Sequence, residues 1–543
     1  MAQKIGLGLI FLLFVAVIYS AIGIPIMEPD AAIYAEIARE MFANHSYEIT
    51  YQGDDWLDKP HLPFWLSALA YSVFGVTLFG YKLPAILASL LGLYYTYKFA
   101  LRYYDLRVAL LAVGVLISAE HFLLSLNDVR AEPFLMGFMA MAFYHLIVFF
   151  EDNKPRDFWL SALGAGLMIM TKGVFVLIPL FTAIFGAILL KKQFNELLRI
   201  RWYFWILITL AFTSPVIISY YLQFDAQPLK AVDLREWGVQ TEVSGIRFFF
   251  WDSQFGRFFN TGPIQGEGRF DFYFHSLLWA FWPWGLLIYF ATGHYLYKLA
   301  KKQPTAEFYT LFATLPMFLV FSLSSFQLPH YLNILFPFMA IMSAAYLVRF
   351  FEWSKPLRWL HLGYFWLAAG LLLAIPLIFN NFQLSLIGYL ILAGIILLFS
   401  IQFINFRHFT VWIFISVSLL VNLMINIEFY PKLLEYQTST TAARYIENHP
   451  NLKDLPIASI GVSPRAIEFN LNRNLQPIEL CQSQPILILV NESKWDDFSQ
   501  VCPNNMKLAE FYDYPVTRLS PEFVKPETRN QVVDRVFLVK SQP

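Results

Sequence analysis

Residues 359–378 read WLHLGYFWLAAGLLLAIPLI, twenty positions without one Asp, Glu, Lys or Arg. A run of about 20 apolar residues has the length to cross a bilayer core as a helix. Lys355 and Arg358 stand just before it, and the short segment 379–382 just after it holds no Lys or Arg. Basic residues collect in cytoplasmic loops, so this span enters from the cytoplasm and leaves on the outer side.

The same pattern repeats in both directions. Thirteen spans are predicted, at 5–25, 83–101, 108–126, 131–150, 158–171, 173–190, 203–222, 272–297, 307–325, 331–348, 359–378, 383–402 and 409–428. The fifth is short, which suits one half of a broken pair. With the N-terminus and Lys4 in the cytoplasm, every cytoplasmic loop is basic: Arg102 and Arg107; Lys154 and Arg156; Lys191, Lys192, Arg199 and Arg201; Lys298, Lys301 and Lys302; Arg349, Lys355 and Arg358; and Arg407. Composition agrees. The 543 residues are 57% hydrophobic and 14% charged, against about 25% charged in soluble domains. Lipid offers the backbone no hydrogen bonds, so only helices or a closed barrel will serve, and these runs are too long for barrel strands. Residues 5–25 lack a small-residue cleavage site and read as an uncleaved first span. A net charge of zero makes no case for nucleic acid. Neither a Walker motif nor a dinucleotide glycine fingerprint is present.

The expected organisation is a transmembrane domain over 1–429 and a small extracytoplasmic α/β domain over 430–543. Two long outer loops, 26–82 and 223–271, interrupt the first. The second has a helix at Thr440–His449 and strands at Pro456–Val462 and Ile486–Val490. Cys481 and Cys502 both lie there; they are either a disulfide or two buried thiols.

The outer loops carry the chemistry. Asp30 precedes Ala31–Met41, where Ile33, Ile37 and Met41 recur every four residues with Glu36, Arg39 and Glu40 opposed. That spacing predicts an amphipathic helix in the membrane interface with Asp30 at its N-cap. Asp30 is then either a cap or a general base held at the membrane surface. Farther on, Asp58-Lys59-Pro60 leads into Phe64-Trp65-Leu66 and puts a cation at headgroup depth. Lys59 either snorkels or pairs with a lipid phosphate.

These segments resemble the GT-C type membrane glycosyltransferases that include the bacterial aminoarabinose transferase and the protein mannosyltransferases. The likeness runs on through Asn127-Asp128-Val129-Arg130-Ala131-Glu132-Pro133, Thr171-Lys172-Gly173, Phe281-Trp282-Pro283-Trp284 and Gln327-Leu328-Pro329-His330-Tyr331. No one motif decides; their order along the chain does. The resemblance implies a hexosyl- or pentosyltransferase in the bacterial inner membrane. It would move a sugar, with inversion, from a polyprenyl phosphate to an envelope acceptor: lipid A, a protein or another glycan. Asp30 matches the family's catalytic carboxylate, Lys59 a residue near the donor phosphate, Arg257 a basic residue of the second loop and Glu132 an outer acid. Lys172 and Arg130 would add cations; Asp58, Asp128, His330 and Tyr331 would support them or meet the acceptor. No metal-ligand spacing is present, although Asp30, Asp58 and Glu132 are oxygen donors for a divalent ion should one take part. Departures at Ala31, Ile33 and Gln327 leave sugar and acceptor open. The competing class is a lipid-linked sugar transporter that makes no bond. Transporters favour polar residues at mid-membrane and repeated halves, whereas this chain gathers its acids and bases on one outer face.

Overall fold

The computed structural model describes residues 2–226, 228, 230–233, 238–348, 355–403, 410–477 and 485–541. Arg349, Arg407 and Cys481, and with Cys481 the choice between a disulfide and two buried thiols, lie outside them. Ten helices lead the chain: α1 (Ala2–Ile22), α2 (Asp30–Asn44), α3 (Leu62–Phe74), α4 (Leu78–Tyr103), α5 (Leu106–Ile117), α6 (Glu120–Asn127), α7 (Glu132–Asp152), α8 (Pro155–Lys172), α9 (Ile178–Lys191) and α10 (Ile200–Tyr220). Among the described residues seven helices are long and apolar enough to cross a membrane, or nine if two bent pairs each count as one. The chain is a multi-pass membrane protein. Shorter apolar helices at Gly6–Ile22, Tyr309–Leu323 and Leu386–Gln402 fall on three further predicted spans, and α8 falls on the fifth.

At the centre α7 is buried along nearly its whole length and packs on α4 and α8. Small residues allow the approach. A Cβ on Gly137 would lie 2.1 Å from the Ala88 carbonyl oxygen of α4, so only glycine lets these backbones meet.

Four expectations fail. The predicted span 272–297 is not straight: Phe272–Ala280 and Gly285–Ala300 are bent by 118° at the break between them. Span 108–126 is also broken, with α5 and α6 bent by 52°. The fifth span is not one of these bent pairs. The two breaks support each other. The Glu120 amide donates to the Trp282 carbonyl at 2.9 Å, and Trp284 Nε1 donates to Ser118 Oγ at 2.9 Å. Backbone groups freed by a break inside lipid need such partners.

The fourth failure is α2. Asp30 is its first helical residue rather than its cap, and the helix does not lie with a wet polar face in the interface. Glu36, Arg39 and Glu40 are 0%, 4% and 3% exposed. Arg39 pairs with Glu36 at 2.6 Å and donates to Asn474 of the C-terminal region, while Glu40 accepts from Thr50 Oγ1 at 2.5 Å. The helix period holds; its polar face is covered partly by Thr50 of the same loop and partly by Asn474, 435 residues away in sequence.

That C-terminal region is a four-stranded sheet in the order Ile457–Ile460, Ile486–Asn491, Asp534–Ser541, Asn505–Asp513. The first two strands pair parallel, the others antiparallel. Ile486–Val490 is wholly apolar because both faces are covered. Leu487 and Leu489 pack under Ala442, Ala443 and Ile446 of the Thr438–Glu447 helix. Ile486, Ile488 and Val490 meet Phe498 and Cys502 on the opposite side. Alternate residues of a strand point to opposite faces. Arg529 fastens this region to the membrane part. Its guanidinium sits 3.7 Å over the Phe379 ring and donates to the Phe379 carbonyl at 2.8 Å.

Candidate active site

A cavity of about 540 Å³ lies where α2, the loop into α7, the second long loop and the C-terminal region meet. Asp30, Asp58, Lys59, Arg130, Glu132, Arg257, His330 and Tyr331 all line it. An adjoining apolar pocket of about 220 Å³ shares Asp58, Lys59, Arg257 and Tyr331 and adds Lys172. Its other walls include Phe175, Ile178, Phe258 and Phe321. A third cavity, about 450 Å³, shares Arg130, Glu132 and His330 and holds Asp128. All ten residues singled out in the sequence thus border three adjoining spaces.

The charges are arranged in linked sets. Arg130 Nη1 is 2.5 Å from Asp30 Oδ2, and Arg130 Nη2 is 2.6 Å from Asp128 Oδ2. Burial opposes the charge on Arg130, yet Asp128 and Asp30 together hold it firmly protonated. Asp30, 45% exposed, is the open member of this set. Asp58 is gripped by Arg257 and by Lys59, the latter at 2.8 Å. Burial alone would raise the Asp58 carboxyl, but the two cations hold it well below the usual carboxylate range. Lys59 moves the other way, lowered to about 8: burial is the main cause, Arg257 adds to it and Asp58 resists. Lys172 pairs with Glu132 and lies 4.0 Å above the Tyr331 ring; His330 Nε2 is 3.7 Å from Glu132.

Local sequence explains the placements. Lys172 ends α8, where a cation meets the negative end of the helix. Gly173 follows at φ 97°, a turn that aims the chain away from α8. Gln254 sits against it and donates to the Lys172 carbonyl at 3.2 Å, tying the Arg257 segment to α8. Arg257 Nε is buried and Asp128 Oδ1 likewise, neither with a hydrogen-bond partner among the described residues. Such orphaned atoms ask for a ligand. No group of three or more His, Cys, Asp or Glu among the described residues is placed to hold a metal ion.

Sequence reasoning missed part of the wall. Tyr34, Trp56, Arg465, Thr517 and Arg518 also line the main cavity. Tyr34 sits one turn after Asp30, a usable signal; nothing in the sequence marks the other four. The Phe281–Trp284 segment, in contrast, braces the two helix breaks and lines none of the three cavities except through its neighbour Trp279.

Residues 58–219 match a family model described as dolichyl-phosphate-mannose-protein mannosyltransferase. A Proteus mirabilis protein named undecaprenyl phosphate-alpha-4-amino-4-deoxy-L-arabinose arabinosyl transferase 2 is 27% identical over 359 residues, covering 64% of this chain and 60% of that one. A transferase of the same type from Pseudomonas fluorescens is 25% identical over 335 residues, covering 60% and 54%. The chain therefore spans less than two thirds of the length of these curated relatives. The crystal structure of ArnT from Cupriavidus metallidurans bound to undecaprenyl phosphate superposes with a TM-score of 0.73 at 16% identity, over 99% of this chain and 98% of that one. The fold is shared, and the chain resembles the GT-C type aminoarabinose and mannosyl transferases.

Proposed function

We propose that this protein is an inverting glycosyltransferase that moves a sugar from a polyprenyl phosphate to an acceptor in the cell envelope. The observation that carries the reading is the convergence of Asp30 with Lys59, Arg257 and Lys172 on adjoining spaces, one polar and one apolar. The relatives' names supply the donor class, since they are transferases of a sugar carried on undecaprenyl phosphate.

In this reading the prenyl chain occupies the apolar pocket and its phosphate meets Lys59, Lys172 and Arg257. Arg257 lines both spaces, and guanidinium groups suit phosphate. The acceptor enters beside Asp30, with Arg130, Asp128, Glu132, His330 and Tyr331 around it. Its oxygen attacks the anomeric carbon from the side opposite the phosphate. The C1–O bond to phosphate breaks, the pair of electrons leaves with the polyprenyl phosphate, and Asp30 takes the acceptor's proton. Fixed cations at the departing oxygen act in a site partly closed to water, where each is worth more than in solution. A general base adds about 10²–10⁴-fold.

The accompanying topology has thirteen spans, the N-terminus in the cytoplasm, and the site and the region 430–543 outside it, supported by the basic loops. The acceptor is lipid A, a protein hydroxyl or another envelope glycan. Mass spectrometry of lipid A and of exported glycoproteins, from cells producing the wild-type chain or Asp30→Asn, tests this. A sugar adduct present with the wild type and missing with the variant is expected. Equal adducts in both would remove the reading, and a transporter would tolerate the change.

A further inference from the structure

Two adjacent residues at the start of α4, Tyr81 and Lys82, line none of the three cavities, yet Tyr81 touches both segments that carry the Asp30–Arg130 pair and Lys82 touches the end of α1. Both side chains are buried, at 2% and 1% exposure. The Tyr81 hydroxyl lies 3.1 Å from the Ala31 carbonyl oxygen and 2.8 Å from that of Val129. Ala31 follows Asp30 and Val129 precedes Arg130. One hydroxyl therefore stands between two backbones that are nearly one hundred residues apart in sequence, each one residue from a member of the ion pair. Lys82 Nζ donates to the carbonyls of Ala21 and Ile24 at 2.7 and 2.8 Å. These belong to the end of α1 and the turn leaving it, where carbonyls lack helical partners.

We infer that Tyr81 is a positioning residue for sugar transfer: its hydroxyl ties the first turn of α2 to the Arg130 loop and so sets the separation of Asp30 and Arg130. Lys82 fixes the end of α1 from the same turn of α4, so the chain between α1 and α2 has few ways to drift. A hydroxyl has one proton to donate, and a buried carbonyl left without a donor is costly. Removing the hydroxyl from beneath two carbonyls lets both backbones relax, and reacting groups misplaced by about 1 Å cost up to about 10²-fold in rate. Tyr71 provides a matched control. Its hydroxyl donates to the Ala35 carbonyl at 3.3 Å, one turn farther along α2, without reaching the Arg130 loop.

The inference rests on the sugar-transfer reading, and the experiment separates the two. Tyr81→Phe and Tyr71→Phe are compared with the wild type, full length and in detergent or nanodiscs, for transfer kinetics and for amide hydrogen exchange. Tyr81→Phe is expected to lower kcat at least about 10-fold with donor KM within about 2-fold. Amides of 31–35 and 129–131 should exchange faster than in the wild type. Tyr71→Phe should keep kcat within about 3-fold. Wild-type kcat in Tyr81→Phe, equal losses in both variants, or unchanged exchange at 129–131 would overturn the inference. Should Tyr81→Phe not be recovered folded, a fluorinated tyrosine at 81 retains the ring and hydroxyl but alters donor strength; a flat kcat response to fluorination would overturn it as well. A wild type that transfers no sugar would sink the functional reading alone, since exchange still reports on the tie.

Discussion

Gly173→Ala probes how the cation cluster is held. Gly173 has φ 97° and ψ −172°, and a Cβ there would fall 2.2 Å from Gln254 Nε2. An L-residue in that backbone region costs about 1–3 kcal/mol. The clash also ejects the Gln254 amide, and with it the hydrogen bond to the Lys172 carbonyl, worth about 1 kcal/mol. The expected loss is therefore about 2–4 kcal/mol. Gln254 and Arg257 are three residues apart on one helical segment, so the displacement carries to Arg257 and to its contact with Asp58. A shift of about 1 Å there lowers kcat/KM for a lipid-linked donor by up to about 10²-fold. The assay pairs melting in detergent with transfer kinetics for Gly173→Ala, Gln254→Ala and the double variant. Truncating Gln254 removes the atoms the new methyl would strike. The double variant should lose less than the sum of the two single losses, by at least about 1 kcal/mol. Strictly additive losses, or a Gly173→Ala protein with wild-type melting and kinetics, would refute the idea that this glycine seats the Arg257 segment.

Other outcomes follow from the same geometry. Lys59 is lowered to about 8, so it is a cation below that pH and loses its charge above it; kcat/KM for the donor should fall along an alkaline limb near pH 8, and Lys59→Arg should push that limb out of range. If the limb is unmoved by Lys59→Arg, Lys59 does not meet the donor. Glu28 is raised to about 7, mainly by burial, against hydrogen bonds from Ser439 and the Ala466 amide. Its folded value exceeds the unfolded one, so ionising it costs stability as pH rises from about 4.5 to 7; Glu28→Gln should melt higher than wild type at pH 8 and alike at pH 4.5, and a lower melting point at pH 8 would contradict this. Arg529→Leu leaves the Phe379, Phe523 and Val524 carbonyls without their donor. It should cost about 3 kcal/mol and speed proteolysis within 514–541, and unchanged cleavage there would show that the anchor lies elsewhere.

Much of this was readable from the sequence because the signals are local. Apolar run length gave the apolar helices, seven of which among the described residues are long enough to cross a membrane. Thr440–His449, Pro456–Val462 and Ile486–Val490 appear as Thr438–Glu447, Ile457–Ile460 and Ile486–Asn491. The ten candidate residues meet because each sits at a helix end or loop of one face. What failed depends on distant partners. The polar side of α2 looked solvated because Asn474 and the C-terminal cover cannot be seen from residues 30–44. The break at 281–284 needs Ser118 and Glu120 as partners, which no window around Pro283 contains. Arg465 and Arg518 reach the cavity only through the packing of the C-terminal region. Lys82 was legible in part: a lysine in the first turns of α4 is a charge at the end of an apolar helix, but with the span begun at 83 it passed for a loop residue.

The central claim is that Asp30 and the cations around it break a sugar–phosphate bond. The direct measurement uses the purified full-length chain in nanodiscs, an isotopically labelled polyprenyl-phosphate sugar and an envelope extract, and follows free polyprenyl phosphate together with the labelled product. Carrier and product should appear one for one, the new linkage opposite in anomeric configuration to the donor, and Asp30→Asn should bind donor yet release neither. Retained configuration, or release by Asp30→Asn at the wild-type rate, would contradict the account.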